Sequence, residues 1–271
     1  MKNIYTFLFI LSLVISCKKE NFEITNLNGD KISKLGHAGM GVGDTYPMNS
    51  AESILKCLNL NMNGTEMDLQ LTKDSVLVAF HDGDLNYKTN FSGKVNNYTW
   101  QELQDTRYIV TPNLSYKIIA LDSLFSNIEG TKFTFAFDIK LYANSVNDAY
   151  LNCFKNALIA LIEKFNLQEN VFIESQSEQF LNLIQLEKPN YRLFIYPPSF
   201  EEGLSMALKN NYSGITISTR DVSKSQIEKA HLNGIQVAIW NTHTKKDNKE
   251  GILKNPDIIE TDKVAYLAKT I

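Results

Sequence analysis

Cysteine, histidine and tryptophan are scarce in this chain, whose 271 residues include three cysteines, four histidines and two tryptophans. So few cysteines, none of them in a CxxC pair, exclude a disulfide-rich scaffold and a zinc–cysteine site. The formal net charge is only −3, which excludes a general attraction to nucleic acid. Neither GxGxxG nor GxxxxGK[ST] occurs, so a nucleotide cofactor is not expected. The composition that remains, 44% hydrophobic and 21% charged, is typical of a globular protein with one sizeable core.

Long apolar runs are also missing, except at the N-terminus. Lys2 is followed by an apolar run over residues 4–15. Because this run is too short to span a bilayer comfortably, it is typical of a secretory signal. The next motif, Val14-Ile15-Ser16-Cys17, resembles a bacterial lipoprotein box. An ordinary signal peptide with a chance cysteine is the alternative.

The lipoprotein interpretation divides the chain into three parts. Residues 1–16 are a signal peptide, residues 17–33 a lipidated Cys17 and a polar tether, and residues 34–271 a single domain. We therefore expect an exported protein that is anchored to a membrane by lipid on Cys17. Cys57 and Cys153 lie in predicted helices far apart in sequence. An exported protein can pair two such cysteines, but buried free thiols are favoured here.

From residue 133 onward strands alternate with helices. Such alternation indicates parallel βα units, and so many units in roughly 240 residues favour a closed TIM-type α/β barrel over an open sheet. Val76 follows its predecessor strand through a tight turn, so the strand it begins is an extra hairpin strand outside the parallel set. Eight further strand candidates, after the short one near Leu35, are 65–71, 76–80, 133–140, 171–174, 192–196, 214–218, 235–240 and 257–261.

The stretch Gly64–Asp82 (GTEMDLQLTKDSVLVAFHD) is rich in groups that carry chemistry. Polar and apolar residues alternate through it, so Glu66 and Asp68 point from one face of a strand. Two carboxylates side by side repel unless water or a cation screens them. A solvated edge strand is the simplest interpretation of Glu-x-Asp alone, and the other strand ends bear on the choice.

Further polar residues fall where predicted strands end, which is where a barrel places its active site. His37 ends the first strand, His81 the hairpin strand, and Asp138 and Lys140 the next one. Three carboxylates suit Ca²⁺ or Mg²⁺ better than zinc. Two histidines beside a cation suit proton transfer at phosphorus.

These motifs, in this order, resemble the glycerophosphodiester phosphodiesterases. The matching pieces are His37-Ala38-Gly39, Pro47-Met48-Asn49-Ser50, Glu66-Met67-Asp68 through Leu71-Thr72-Lys73-Asp74, Phe80-His81-Asp82, Thr89-Asn90 with Ser92-Gly93, Asp138-Ile139-Lys140, Trp240-Asn241 and Thr261-Asp262. The likeness covers the chain from about Lys34 to its end. It implies a TIM-type barrel that cleaves small-molecule phosphodiesters.

The resemblance also implies roles for individual residues. Glu66, Asp68 and Asp138 would hold one divalent cation, Ca²⁺ or Mg²⁺, and His37 and His81 would be the acid and base. From its position, Lys140 is expected to face the substrate phosphate. Trp240 is expected either to pack the headgroup or to belong to the barrel core. No role is assigned to His231 or His243.

Three departures from the family pattern concern substrate placement. Ala38 stands where the family has an arginine, Met48 where it has a glutamate, and Asp138 where it usually has a glutamate. Two alternatives therefore stay open beside hydrolysis. One is an intramolecular transfer that gives a cyclic phosphate, as in sphingomyelinase D. The other is a non-catalytic surface lipoprotein that binds phosphorylated headgroups.

Overall fold

A computed structural model describes residues 22–43, 45–109 and 115–271. Ten strands are present in this part of the chain. They are β1 (Ser33–Gly36), β2 (Gly64–Leu71), β3 (Leu77–Ala79), β4 (Ile119–Ala120), β5 (Thr134–Ile139), β6 (Val171–Ser175), β7 (Arg192–Ile195), β8 (Gly214–Ser218), β9 (Gln236–Thr242) and β10 (Ile258–Thr261).

Eight of these strands form a closed parallel ring. The ring runs β1-β10-β9-β8-β7-β6-β5-β2, and it closes where β1 pairs with the start of β2. The second half of β2 pairs instead with the antiparallel strand β3, which in turn pairs with β4. The predicted TIM-type barrel with an extra hairpin strand is therefore confirmed. The short strand β4 was not predicted, because two residues are too few to show a period.

The helices cover the outside of the ring. They are α1 (Ala51–Leu58), α2 (Trp100–Leu103), α3 (Leu121–Phe125), α4 (Asp148–Lys164), α5 (Glu178–Glu187), α6 (Phe200–Asn210), α7 (Lys224–Leu232), α8 (Lys245–Leu253) and α9 (Val264–Thr270). Sequence analysis missed α8, whose residues KKDNKEGIL contain only two large apolar side chains. What identifies this helix is its capping box, in which Thr244 and Asp247 satisfy each other's backbone N–H groups.

The barrel interior is layered because side chains on one strand face alternate with period two. Six ring strands contribute one apolar layer, made of Leu35, Ala136, Phe172, Phe194, Ala238 and Ile258. Two residues further along the same six strands, the inward positions hold His37, Asp138, Glu174, Tyr196, Trp240 and Glu260. The interior thus changes from apolar to ionisable within one step toward the carboxyl ends of the strands.

The N-terminal segment packs against the opposite end of the barrel, here called the bottom. Thr25 and Asn255 exchange hydrogen bonds, and Asn26 donates to the carbonyl of Pro256, just before β10. Residues 22–33 lie within the predicted tether 17–33, so a free linker would be limited to residues before Phe22. Cys17 and the predicted signal peptide lie outside the described residues. Among the helices of the described part, none has the length and apolarity needed to cross a membrane.

The two described cysteines are both free thiols, one buried and one exposed. Cys57 is fully buried against the bottom of β2, where burial raises the pKa of its thiol to about 12. Cys153 lies on the exposed face of α4. The expectation that both are buried is therefore wrong for Cys153. Its apolar neighbours in sequence occupy the inner face of the helix, and Cys153 does not share that face.

Candidate active site

Three carboxylates converge at the mouth of the barrel, where the ring strands end. Glu66 and Asp68 point inward from β2, and Asp138 lies beside Asp68 in the parallel register of β2 and β5. One carboxylate oxygen from each of the three residues lies within 4.8 Å of the others. The sequence placed Glu66 and Asp68 on one face correctly, but only the pairing of β2 with β5 brings Asp138 to them.

Burial makes this carboxylate cluster expensive to charge. Desolvation, together with Asp68, Glu260 and Asp138, raises the pKa of Glu66 well above its ordinary value. Desolvation and the charge on Asp68 likewise raise the pKa of Asp138. Like charges that face each other in a buried site need a cation between them.

Lys140 is the basic residue in direct contact with the cluster. Its ammonium lies 2.6 Å from Asp138 Oδ2 and 3.0 Å from Asp68 Oδ1. Burial opposes the charge on Lys140, but the two aspartates outweigh it and raise its pKa. The same ammonium helps to hold the pKa of Asp68 below its usual value despite the burial of that carboxyl. One lysine still leaves three carboxylates short of neutrality.

The donor set fits a hard divalent cation. All three groups offer carboxylate oxygens, the ligands that Ca²⁺ and Mg²⁺ prefer. Within the described part of the chain, Glu66 Oε1 is buried and accepts no hydrogen bond. A buried carboxylate oxygen without a donor is costly. A cation at this point would satisfy it.

Two residues outside the predicted site set hold these carboxylates in place. Asn49 donates its side-chain amide to Asp68 Oδ2 at 2.6 Å and accepts the Asp68 backbone N–H at 3.0 Å. The backbone N–H of Ala38 donates to Glu66 Oε2 at 2.7 Å. The sequence did not reveal either role, because both contacts join β2 to loops around α1. Ser50, and not Asn49, caps α1.

His37 lies next to the carboxylates, at the end of β1. Its Nε2 is 4.0 Å from Glu66 Oε2, and its Nδ1 is 2.8 Å from Asp262 Oδ1. Burial alone would lower the pKa of His37, but the hydrogen bond and charge of Asp262 outweigh it and raise that pKa. His37 is thus a nearly buried base held from behind by a carboxylate.

His81 approaches the same cluster from the solvent side. Its side chain is 45% exposed, and its Nδ1 lies 2.7 Å from Asp82 Oδ1. Its positive form would favour the charged states of Asp68 and Asp138. Gln70 holds the turn that carries it, because its amide donates to the Phe80 and Asp82 carbonyls at 2.8 Å each.

Trp240 lines the wall of the mouth opposite the cluster. Its ring packs edge-on against Tyr196 at 5.7 Å between centroids. Among the described residues, none accepts a hydrogen bond from its buried Nε1. A buried indole N–H normally has a partner, so this donor is available to a ligand.

Two further carboxyls, Glu174 and Glu260, lie deeper in the same layer. Burial and the charge on Asp138 raise the pKa of Glu174 to about 8, and the Thr216 hydroxyl bonds to it. Desolvation raises the pKa of Glu260 well above its ordinary value, with Glu174 adding to the effect. Neutral carboxylic acids here would let the barrel floor stay dry without adding to the negative charge above it. Sequence analysis did not single out either residue.

Comparison with known proteins identifies the family. Residues 40–266 match the model of the Glycerophosphoryl diester phosphodiesterase family. The chain belongs to this family. A glycerophosphodiester phosphodiesterase from Caldanaerobacter subterraneus subsp. tengcongensis is 25% identical over 233 residues, which cover 83% of this chain and 92% of the relative.

Solved structures of the family share the barrel. A glycerophosphoryl diester phosphodiesterase from Parabacteroides distasonis is 25% identical with a TM-score of 0.68, covering 92% of this chain and 93% of its own. An Oleispira antarctica phosphodiesterase, solved in complex with sn-glycerol-3-phosphate, has a TM-score of 0.75 at 15% identity, covering 88% and 94%. This member of the family is thus a phosphodiesterase by its class. The cyclising and non-catalytic alternatives receive no support from these comparisons.

Ala38 has no room for the arginine that the resembled family places there. Its side chain is fully buried, and its backbone is left-handed with φ of 49°. A longer side chain would have to displace neighbours from the packed loop between β1 and α1. Phosphate binding by this chain must therefore depend on groups other than residue 38.

Proposed function

We propose that this family member hydrolyses glycerophosphodiesters to glycerol phosphate and an alcohol, with a divalent cation and two histidines. The observation that carries the proposal is the convergence of Glu66, Asp68 and Asp138 beside His37. The cation bound there, Ca²⁺ or Mg²⁺, supplies neutralisation of the charge that develops on a non-bridging phosphate oxygen.

The two histidines are suited to proton transfer from different sides. His37 directs Nε2 toward the carboxylate cluster while Asp262 holds Nδ1, so its free nitrogen faces the reacting phosphate. His81 stands at the open side, where the alcohol leaves or water enters. One takes a proton from the nucleophile and the other gives a proton to the leaving oxygen. Both are within the pH range in which imidazole can do either.

Lys140 and Trp240 complete the substrate site. Lys140, already between Asp68 and Asp138, presents a point charge to the same phosphate. Trp240 offers a ring wall and an unpaired N–H that can bond to a hydroxyl of the headgroup or glycerol. With no arginine at position 38, these groups carry the phosphate binding.

An activity assay with product identification tests the proposed function. Purified protein that starts at residue 22 is incubated with several glycerophosphodiesters, with Ca²⁺, with Mg²⁺ and with chelator. Phosphorus NMR should show glycerol phosphate only when a cation is present. A cyclic phosphate would replace hydrolysis with the intramolecular transfer, and no turnover on any diester would remove the proposal.

The cation should also stabilise the fold. Because it binds the folded site and relieves repulsion among Glu66, Asp68 and Asp138, Ca²⁺ or Mg²⁺ should raise Tm by a few degrees, since a concentration of about 100 Kd is worth roughly 2.7 kcal/mol. Differential scanning calorimetry measures the shift. Asp68→Asn should reduce it, whereas Asp105→Asn, in an exposed ion pair with Lys117, should not. An equal shift in both variants would contradict cation binding at the cluster.

We further propose that Cys17 carries a lipid anchor and that the barrel mouth faces away from the membrane. Residues 25–28 bind the bottom of the barrel, opposite the carboxylate cluster. The five peptide steps from Cys17 to Phe22 reach at most about 18 Å. Substrate would then arrive from the aqueous phase. Radiolabelled palmitate should enter the full chain expressed in a bacterium, and Cys17→Ser should abolish that labelling and release the protein from membranes.

A further inference from the structure

Asp262, directly after β10, is shared by two histidines. Its Oδ1 accepts a hydrogen bond from His37 Nδ1 at 2.8 Å and another from the Val42 backbone N–H at 2.9 Å. Its Oδ2 pairs with Nδ1 of His243. The carboxylate is nearly buried, with 7% of the residue exposed, whereas the His243 side chain is 41% exposed. Each carboxylate oxygen is therefore held by a different element.

The shared carboxylate determines which nitrogen of His37 bears its proton. Burial opposes ionisation of Asp262, but the hydrogen bond and charge of His37 outweigh it, so the pKa of Asp262 lies below its usual value. An ionised carboxylate only accepts hydrogen bonds. His37 must then donate from Nδ1, which leaves Nε2 free on the side of Glu66. The same reasoning makes His243 a donor from its own Nδ1.

His243 is held firmly enough to act as a brace. It lies between β9 and the start of α8, where Thr244 caps the helix. The buried amide of Asn248 donates to the Thr242 carbonyl at 3.0 Å, and its oxygen accepts from the Thr261 hydroxyl at 2.7 Å. Asn248 thus ties the loop of His243 to the strand that ends at Asp262.

We propose that His243 is a positioning residue, which holds Asp262 in the rotamer that fixes His37 with Nε2 toward the phosphate site. A carboxylate bonded through one oxygen can rotate about its Cβ–Cγ bond, whereas one held through both oxygens cannot. Hydrogen-bond partners behind a functional histidine commonly set its tautomer and ring orientation. This inference rests on the proposed role of His37.

The chain offers a matched control at the other end of the same strand. His231 on α7 pairs its Nε2 with Oδ2 of Asp257 at 2.9 Å, just before β10. Asp257 is fully buried, as a structural partner would be, and it also accepts the Val237 backbone N–H. His231→Ala removes a histidine–aspartate pair of the same kind, but at the bottom of the barrel and far from the carboxylate cluster.

Three variants, His243→Ala, His243→Asn and His231→Ala, test the proposal with kinetics and NMR. His243→Ala should lower kcat about tenfold or more with KM within twofold, because the lost group acts behind a functional residue. His243→Asn should recover most of that loss, since its amide nitrogen can donate from nearly the same place as Nδ1. His231→Ala should lower Tm and leave kcat unchanged.

Nitrogen-15 NMR of the His37 ring supplies a readout that does not depend on turnover. In the wild type and in His243→Asn, His37 should be protonated at Nδ1 in its neutral form. In His243→Ala the two tautomers should mix. Unchanged tautomer and kcat in His243→Ala would overturn the proposal, as would equal kcat losses in His243→Ala and His231→Ala. If no diester is turned over, the tautomer alone decides, so failure of the proposed function is distinguishable from failure of this inference.

Discussion

His37→Ala should lower kcat by at least about 10²-fold, and up to 10⁴-fold, because it removes a group that moves a proton in the transition state. His37 is the better placed of the two histidines, with Nε2 toward Glu66 and Nδ1 held by Asp262. Steady-state kinetics on a glycerophosphodiester at saturating cation measures the loss. His37→Asn should be nearly as slow, since its amide can still donate to Asp262 but cannot exchange a proton.

The second histidine gives a check on this result. His81→Ala should also lower kcat by about 10²-fold, and the double variant should be little worse than the slower single one, because groups that act as a unit are not additive. Folding should survive in His81→Ala, whose removed side chain is 45% exposed. Wild-type turnover in either single variant would remove the proton-transfer role from that histidine.

Lys140→Met should change catalysis and cation affinity in opposite directions. Loss of the ammonium beside the phosphate should cost kcat/KM about 30- to 1000-fold, the range for loss of one charge-stabilising donor. The same ammonium competes with a cation for Asp68 and Asp138, at 3.0 and 2.6 Å. Its removal should therefore tighten Ca²⁺ or Mg²⁺ binding. Kinetics and calorimetric titration measure the two effects.

A lysine elsewhere provides the control for this prediction. Lys155 on α4 forms an ion pair with Glu187 on α5 at 2.6 Å, on the outside of the barrel. Lys155→Met should leave both kcat/KM and cation affinity unchanged. If Lys140→Met gave unchanged kcat/KM on a small and on a large diester, phosphate binding would lie elsewhere. If it weakened cation binding, Lys140 would have to support the carboxylate cluster and not compete for it.

Several elements of the site were predictable because they depend on local periodicity. Alternation over β2 put Glu66 and Asp68 on one face, and the tight turn after it set β3 apart from the parallel strands. The alternation of strands and helices predicted the barrel, and a barrel places strand-end residues at one mouth. His37, His81 and Asp138 followed from that rule alone.

Other elements depended on contacts between distant segments and had no local signal. Asn49 reaches Asp68 across 19 residues, and Asp262 reaches His37 across 225. His243 had no assigned role because a histidine in a polar loop looks the same in sequence whether or not a carboxylate faces it. The helix that supports it, α8, was hidden by its polar composition.

The sequence by itself determined the barrel, the family and the residue types at the mouth, because strand period and strand order are encoded along the chain. Tertiary structure alone decided which of these residues touch, and in what state of charge. The raised pKa of Glu66 and the lowered pKa of Asp262 both come from buried neighbours on other strands and loops. Desolvation and charge coupling act through space at a few ångströms, and spacing in sequence does not report that distance.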